Sequence, residues 1–178
     1  MRNIHNISII TPTYNRADEL DYLINSISNQ TIDLSNIELI ISDDGSDDDT
    51  ESVIRSWKEK VDFNILYINQ KNKGPGAARN HGLENSSGDL IFFIDSDCEA
   101  HKTWIEIIIK EYSQNGFDAC GGPDGAKNDF TLLQKAIDFS MTSFLTTGGI
   151  RGHHQKMIAK FYPRTHNMCI TKEVYDRI

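Results

Sequence analysis

The sequence has 178 residues, of which 38% are hydrophobic and 25% charged, and its formal net charge is −8. These values are typical of one soluble globular domain, and the acidic balance argues against a nucleic-acid polymer as partner, because phosphate backbones are bound by basic surfaces. No apolar stretch reaches the ~18 residues of a membrane helix and no signal peptide is visible, so we expect a cytoplasmic location.

Apolar strands alternate with amphipathic helices along most of the chain. Strands are predicted at 7–11, 37–42 and 63–68, in the apolar part of 89–97, and at 119–122, with Pro12 ending the first. The buried faces of four intervening helices are marked by Leu20 to Ile27, Val53 to Trp57, Ala77 to Leu83 and Trp104 to Tyr112. This alternation predicts right-handed βαβ units and a parallel sheet.

The regular alternation stops after Gly122. A helix is predicted over 130–144, a glycine-rich irregular stretch over 146–154 and another strand over 166–171. Residues 172–178 resemble the start of a helix without a stop signal, so we expect the chain to be a fragment of a longer protein.

The fourth strand ends in two carboxylates, Asp95 and Asp97. A strand that is apolar at consecutive positions is covered on both faces, and its carboxyl end lies where open α/β sheets bind ligands. Two carboxylates held there repel each other unless a cation is present, so the pattern indicates a divalent metal bridged to a phosphate. A helix cap or a turn is the alternative for so short a pattern.

A second acidic stretch, residues 43–49, follows the second strand. Its register excludes a calcium loop, which would need acidic or amide side chains at Ile40 and Ser42. The last three aspartates are explained by the start of a helix. Asp43 and Asp44 stand at the strand end, where a carboxylate can accept the N–H groups of uracil or guanine.

The loop after the first strand offers aromatic and polar groups. Tyr14 presents an aromatic face to a base or sugar ring, and Thr13, Asn15 and Arg16 offer hydrogen-bond donors. A polar turn with Tyr14 packed on a neighbouring loop is the alternative.

The stretch 71–80 combines cations, glycines and a helix start. Its backbone amides, with Lys73 or Arg79, could face a diphosphate. It matches neither the dinucleotide fingerprint nor the P-loop, and an ordinary glycine-rich helix start stays open.

Three cysteines, Cys98, Cys120 and Cys169, are too far apart in the chain for a metal knuckle or a C-x-x-C motif. We expect reduced thiols, with Cys169 in the core.

Four of these stretches together resemble the family 2 glycosyltransferases with the GT-A fold, which transfer a sugar from a nucleotide diphosphate donor with inversion. The matching segments are 7–16, 41–46, 72–83 and 87–97, with a looser match at 167–175. The resemblance implies an α/β, Rossmann-like three-layer sandwich with a mostly parallel central sheet. It also implies a donor-binding half over 1–125 and the beginning of an acceptor-binding half over 126–178, incomplete at its C-terminus.

The resemblance also implies a set of site residues. The nucleotide would be bound by Pro12, Thr13, Tyr14, Arg16, Asp43, Asp44, Lys73, Gly76, Arg79, Asp95 and Ser96. Asp44 is favoured over Asp43 as the base contact, and Asp97, with Asp95, would hold Mn²⁺ or Mg²⁺. The metal neutralises charge that develops on the departing nucleoside diphosphate. The general base is expected beyond Ile178, so no catalytic residue is assigned and the fragment itself is expected to turn over poorly or not at all.

UDP is the expected nucleotide, since a lone carboxylate with an aromatic ring suits uracil, and the acceptor is expected to be a glycan, a lipid-linked sugar or a polysaccharide. A membrane association through a further C-terminal region stays open. The first rival is a non-catalytic nucleotide-sugar-binding module. A receiver-like signalling domain fits badly because the acidic pair follows the second strand rather than the first, and a dinucleotide-dependent oxidoreductase lacks its fingerprint.

Overall fold

The computed structural model describes residues 4–122, 125, 130–147 and 163–177. Strands and helices alternate over the first part of the chain, as the sequence pattern predicts. The elements in chain order are β1 Ile7–Thr13, α1 Ala17–Ser28, β2 Ile37–Asp43, α2 Thr50–Lys58, β3 Asn64–Asn69, α3 Pro75–Glu84, β4 Leu90–Ile94, α4 Trp104–Gln114, β5 Ala119–Gly121, α5 Leu132–Thr142, α6 Phe144–Thr147, β6 Asn167–Thr171 and α7 Lys172–Tyr175.

The described strands form one sheet in the order β3-β2-β1-β4-β6-β5. The pairs β3–β2, β2–β1 and β1–β4 are parallel, whereas β6 runs antiparallel to both β4 and β5. The sheet is therefore mostly parallel, as expected. Strand order reverses between β1 and β4, and such a switch point opens a crevice at the carboxyl ends of the strands.

Strand β1 continues past Pro12 to Thr13, so the prediction that Pro12 ends the strand is wrong. Thr13 accepts a hydrogen bond from Asp44 N on the β2 side, and alternation along the strand turns Pro12 toward β4. Pairing between β1 and β4 has already ended at Ile10. The missing N–H of Pro12 therefore costs no hydrogen bond of the sheet.

The hydrophobic core lies on both faces of the sheet. On one face, Ile9, Leu39 and Phe92 pack with the buried sides of α1, α2 and α4. On the other face, the alternate residues of the same strands pack with Leu83 of α3. Because β1 and β4 are buried along their whole length, both faces need a helical layer, and the result is the predicted three-layer sandwich.

The second part of the chain agrees with its predictions where it is described. The predicted helix 130–144 corresponds to α5 and α6, and the predicted strand 166–171 corresponds to β6. Most of the stretch 146–154 lies outside the described residues, and the division of the chain at residue 125 stays a prediction. Within the described residues, no helix has the length and apolarity needed to cross a membrane.

Helix α3 packs closely on β1 at Gly82, where an added Cβ would lie 2.5 Å from Ile10 Cγ2. We expect Gly82→Ala to lower the free energy of unfolding by about 1–2 kcal/mol, because overpacking costs about 1–3 kcal/mol and the helix propensity of alanine returns up to about 1 kcal/mol. Denaturant unfolding measures this difference. Gly76→Ala on the same helix is the control, since its Cβ would meet nothing within 4 Å. Equal stability of the two variants would contradict this account of the contact.

Candidate functional site

A cavity of about 510 Å³ lies at the carboxyl ends of β1, β2 and β4, at the switch point of the sheet. Its volume is within the range of small-molecule sites. The lining residues come from the end of β1, from the loops after β1, β2, β3 and β4, and from the start of α3: Pro12, Thr13, Tyr14, Arg16, Asp44, Asn72, Gly74, Pro75, Ala78, Arg79, Asp95, Ser96 and Asp97. The structure thus brings together most of the residues predicted from separate stretches of the sequence.

Three predicted residues, Asp43, Lys73 and Gly76, are not among the residues lining this cavity. Conversely, Asn72, Gly74, Pro75 and Ala78 line it although the sequence reasoning did not single them out. All four lie in the stretch 71–80 that was expected to face a diphosphate. Its backbone path, rather than its residue types, decides which of these positions reach the cavity.

Asp43 is a buried structural carboxylate. It accepts hydrogen bonds from Ser46 N and Oγ, from Tyr67 Oη at 2.7 Å and from Asn69 Nδ2 at 3.1 Å. Burial, together with the hydrogen bond to Asp43, raises the pKa of Tyr67 to about 12. The oxygens of Asp43 therefore hold the turn after β2 and tie it to β3, and Asp43 does not line the cavity.

Asp44 is also buried, but it lines the cavity and closes the loop between β3 and α3. Its carboxylate accepts hydrogen bonds from Gln70 Nε2 at 2.7 Å, Lys73 N at 2.9 Å and Gly74 N at 2.7 Å. Burial opposes ionisation, yet these three hydrogen bonds, together with the positive charge of Lys73, outweigh it and hold the pKa of Asp44 below its ordinary value. Lys73 thus contributes its backbone N–H here. The role of Gln70 was missed, because no motif around it indicates a partner in the loop after β2.

Asp95 and Arg79 form an ion pair inside the cavity. Arg79 Nη2 lies 2.5 Å from Asp95 Oδ1, and the two side chains are 17% and 31% exposed. Arg79 Nε is buried and has no hydrogen-bond partner among the described residues. A cation that retains an unused buried donor is suited to an incoming anion.

Asp97 lies at the open rim and has a looser partner. Arg16 Nη1 is 3.5 Å from Asp97 Oδ2 and 3.2 Å from Glu19 Oε1, and the side chains of Arg16 and Asp97 are each about half exposed. Such a pair is weak in water. The Asp97 carboxylate is therefore accessible to another cation.

The loop after β1 is tied to the loop after β2 by Asn15. Asn15 has φ of 51°, its N–H donates to Ser46 Oγ at 2.8 Å, and its Oδ1 accepts from Asp47 N at 2.9 Å. Asn15 therefore braces the neighbouring loop, and it is not among the residues that line the cavity. Tyr14, beside it, is half exposed at the mouth of the cavity.

Asp95 and Asp97 suit a hard divalent cation, since both are carboxylates at the cavity wall and both are at least partly accessible. The described residues contain no group of three or more His, Cys, Asp or Glu side chains placed to hold a metal by themselves. A Mn²⁺ or Mg²⁺ ion here would need further oxygen ligands, which phosphates and water supply at such sites. The donor set fits a metal that arrives with a phosphorylated ligand.

The family model described as Glycosyl transferase family 2 matches residues 8–178. The chain belongs to this family. Glycosyltransferase AglE of Haloferax volcanii is 35% identical over 116 residues, which are 65% of this chain and 38% of AglE. The chain spans between 16% and 40% of the length of eight curated relatives that it matches. Membership confirms the predicted family and disfavours the receiver-like and oxidoreductase alternatives.

Solved structures agree on the fold of this glycosyltransferase domain. The mannosyltransferase PcManGT from Pyrobaculum calidifontis, in complex with GDP-Man and Mn²⁺, has a TM-score of 0.73 at 18% identity and covers 99% of this chain and 47% of that one. Staphylococcus aureus TarS in complex with UDP-GlcNAc has a TM-score of 0.63 at 24% identity and covers 78% of this chain and 38% of that one. At these identities the likeness shows the fold, and the GT-A prediction is confirmed.

The lowered pKa of Asp44 predicts a pH-dependent contribution to stability. A carboxylate whose pKa is depressed on folding stabilises the protein above its ordinary pKa of 3.8 and loses this contribution as the pH falls through the lower folded value. We expect Asp44→Asn to cost about 1–3 kcal/mol at neutral pH, because the amide places a donor against backbone N–H groups. The cost relative to the wild-type protein should shrink as the pH falls below 3.8.

Denaturant unfolding of wild-type and Asp44→Asn protein over a series of pH values measures this effect. Asp47→Asn, an exposed carboxylate of the same loop, is the control and should change the free energy of unfolding by less than about 0.5 kcal/mol. A cost at Asp44 that does not vary with pH would show that its ionised form is not what the loop requires.

Proposed function

We propose that this domain binds a nucleotide-diphospho-sugar, with UDP as nucleotide, for a metal-dependent inverting glycosyltransferase that acts on a glycan, lipid-linked or polysaccharide acceptor. The observation that carries the proposal is the cavity at the switch point. Its lining includes Asp44, Arg79, Asp95 and Asp97, and their chemistry supports a base-reading carboxylate, a phosphate-binding arginine and two metal ligands. Family membership supplies the reaction class.

The base would bind between Tyr14 and Asp44. Tyr14 is half exposed and offers an aromatic face, and Asp44 stays ionised at neutral pH because its pKa is lowered. An ionised carboxylate can accept the imide N–H of uracil. Gln70 and the two backbone amides hold Asp44 in place, so the base would meet a carboxylate whose orientation is already set.

The diphosphate and the metal would bind at Arg79, Asp95 and Asp97. The positively charged arginine suits the phosphate oxygens of the ligand, and the two carboxylates suit its divalent cation. When bound, the metal supplies charge neutralisation on the departing nucleoside diphosphate. The residues of this chain hold the diphosphate in position, and the positive charge of Arg79 offsets part of the negative charge of the diphosphate.

The transfer itself needs a general base that takes the proton of the acceptor hydroxyl on the side opposite the leaving group. We assign this role to none of the residues that the structure describes, and we propose that it comes from the region that follows Ile178 in a longer protein. The proposal predicts that the domain binds donor and metal in the absence of an acceptor.

The first test is calorimetric titration of UDP and GDP, with and without Mn²⁺, into wild-type protein and Asp97→Ala. We expect UDP to bind more tightly than GDP, and the increase in affinity with Mn²⁺ to be lost in Asp97→Ala, because that variant removes a metal ligand. Asp47→Ala is the matched control on an exposed aspartate.

Binding of GDP in preference to UDP would contradict the proposal that the nucleotide base is uracil, but it would still support a donor site in this cavity. Failure of both nucleotides to bind a folded protein would overturn the proposal for this chain. Mn²⁺-dependent binding that survives Asp97→Ala would remove Asp97 from the metal site.

A second test separates diphosphate binding from base binding. We expect Arg79→Met to weaken UDP by about 10- to 100-fold, the range for a lost hydrogen bond to a charged group, and to change uridine affinity by less than about 2-fold. Competition titrations with both ligands measure the two effects. Arg55→Met removes an exposed arginine that pairs with Glu51, and it should change neither affinity. Equal weakening of UDP and uridine would show that Arg79 acts on the shape of the site and not on phosphate.

A further inference from the structure

Two of the three cysteines face each other across the antiparallel pair β5–β6. Cys120 and Cys169 are directly opposed in the register, so their side chains lie on the same face of the sheet. Directly opposed residues of antiparallel strands have Cβ atoms ~4.5–5.5 Å apart, and a disulfide needs ~3.5–4.5 Å. An approach of about 1 Å would therefore bring the two sulfurs to bonding distance.

The position of the pair in the sheet permits this approach. Cys120 lies on β5, a strand of three residues at the edge of the described sheet, and it is partly exposed. Cys169 lies one strand further in, is fully buried, and is in register with Phe92 of β4. A short edge strand adjusts more easily than the strands paired on both sides, so β5 is the element that would move.

The chemical environments of the two thiols differ in the way that a stepwise exchange requires. The neighbouring Cys169 side chain lowers the pKa of Cys120, and burial raises the pKa of Cys169. Cys120 is thus the more acidic and the more accessible thiol, and it is the one suited to attack an external disulfide.

We propose that Cys120 and Cys169 form a reversible cross-strand disulfide when the protein meets a small-molecule disulfide oxidant such as oxidised glutathione. The Cys120 thiolate attacks one sulfur of the oxidant, whose S–S bond breaks and releases one glutathione thiolate. Cys169 then loses its proton and attacks the Cys120 sulfur of the mixed disulfide, which releases the second glutathione. Two protein thiols are oxidised, and one glutathione disulfide is reduced to two glutathione molecules.

The third cysteine belongs to a different part of the molecule. Cys98 Sγ lies 3.8 Å from Asp97 Oδ1 at the rim of the candidate site. Neither Cys120 nor Cys169 lines that cavity. The disulfide would therefore join positions 49 residues apart in the chain without entering the donor site, and it goes beyond the function proposed above.

The test exposes the folded wild-type protein to oxidised glutathione and counts free thiols, measures the intact mass and maps the linked peptides. We expect the number of free thiols to fall from three to one, the protein to lose two hydrogens and retain no glutathione, and the linked peptide to join Cys120 to Cys169. Reduction with dithiothreitol should restore all three thiols.

Matched variants complete the test. Cys98→Ser should form the same linkage and retain no free thiol, and Cys120→Ser should form no intrachain disulfide. Stable glutathione retained on Cys120, a linkage that includes Cys98, or a disulfide between two chains would each overturn the proposal. The peptide map of the wild-type protein decides the matter even if a substitution at the buried Cys169 prevents folding.

Discussion

Burial of β1 and β4 on both faces is the constraint on which the rest of the structure depends. Every residue of these two central strands is buried, so the helices must cover both sides of the sheet and the connections must cross over it. Charged groups cannot be placed within such strands without a large desolvation cost. They collect instead where the strands end, and the reversal of strand order between β1 and β4 leaves a cavity at that edge.

The two adjacent aspartates at the end of β2 have different surroundings although they are neighbours in the chain. Both are nearly inaccessible, and each is stabilised by hydrogen bonds from the neighbouring strand and loop. The oxygens of Asp43 accept hydrogen bonds from the turn after β2 and from Tyr67. Asp44 holds the loop before α3 and also lines the cavity. A buried carboxylate without such donors would cost several kcal/mol, so the hydrogen bonds around Asp44 both hold the loop and keep the carboxylate ionised.

Two of the three carboxylates that line the cavity lie near an arginine before any ligand arrives. Arg79 neutralises Asp95 deep in the cavity, and Arg16 lies near Asp97 at the rim. Under the function proposed here, a diphosphate with its cation could replace both partnerships with equivalent ones, since the arginine gains phosphate oxygens and the carboxylates gain a metal. In such an exchange each charged side chain keeps a partner of opposite charge, which limits the electrostatic cost of ligand binding.

The sequence alone determined the alternation of strands and helices, the mostly parallel sheet, the family and the stretches that meet at the site, because apolar periodicity and short motifs are local properties. The resemblance favoured Asp44 over Asp43, but the sequence did not show which groups each carboxylate binds or that Lys73 contributes its backbone N–H, since these depend on which way each group turns at the end of a strand. The antiparallel insertion of β6 beside β4, the continuation of β1 through Pro12 and the role of Gln70 were likewise decided by partners more than 20 positions away. The same is true of the contact between Cys120 and Cys169. Tertiary structure decides such matters because hydrogen-bond partners and buried neighbours come from the packing of distant segments, and the residue types of one segment do not specify them.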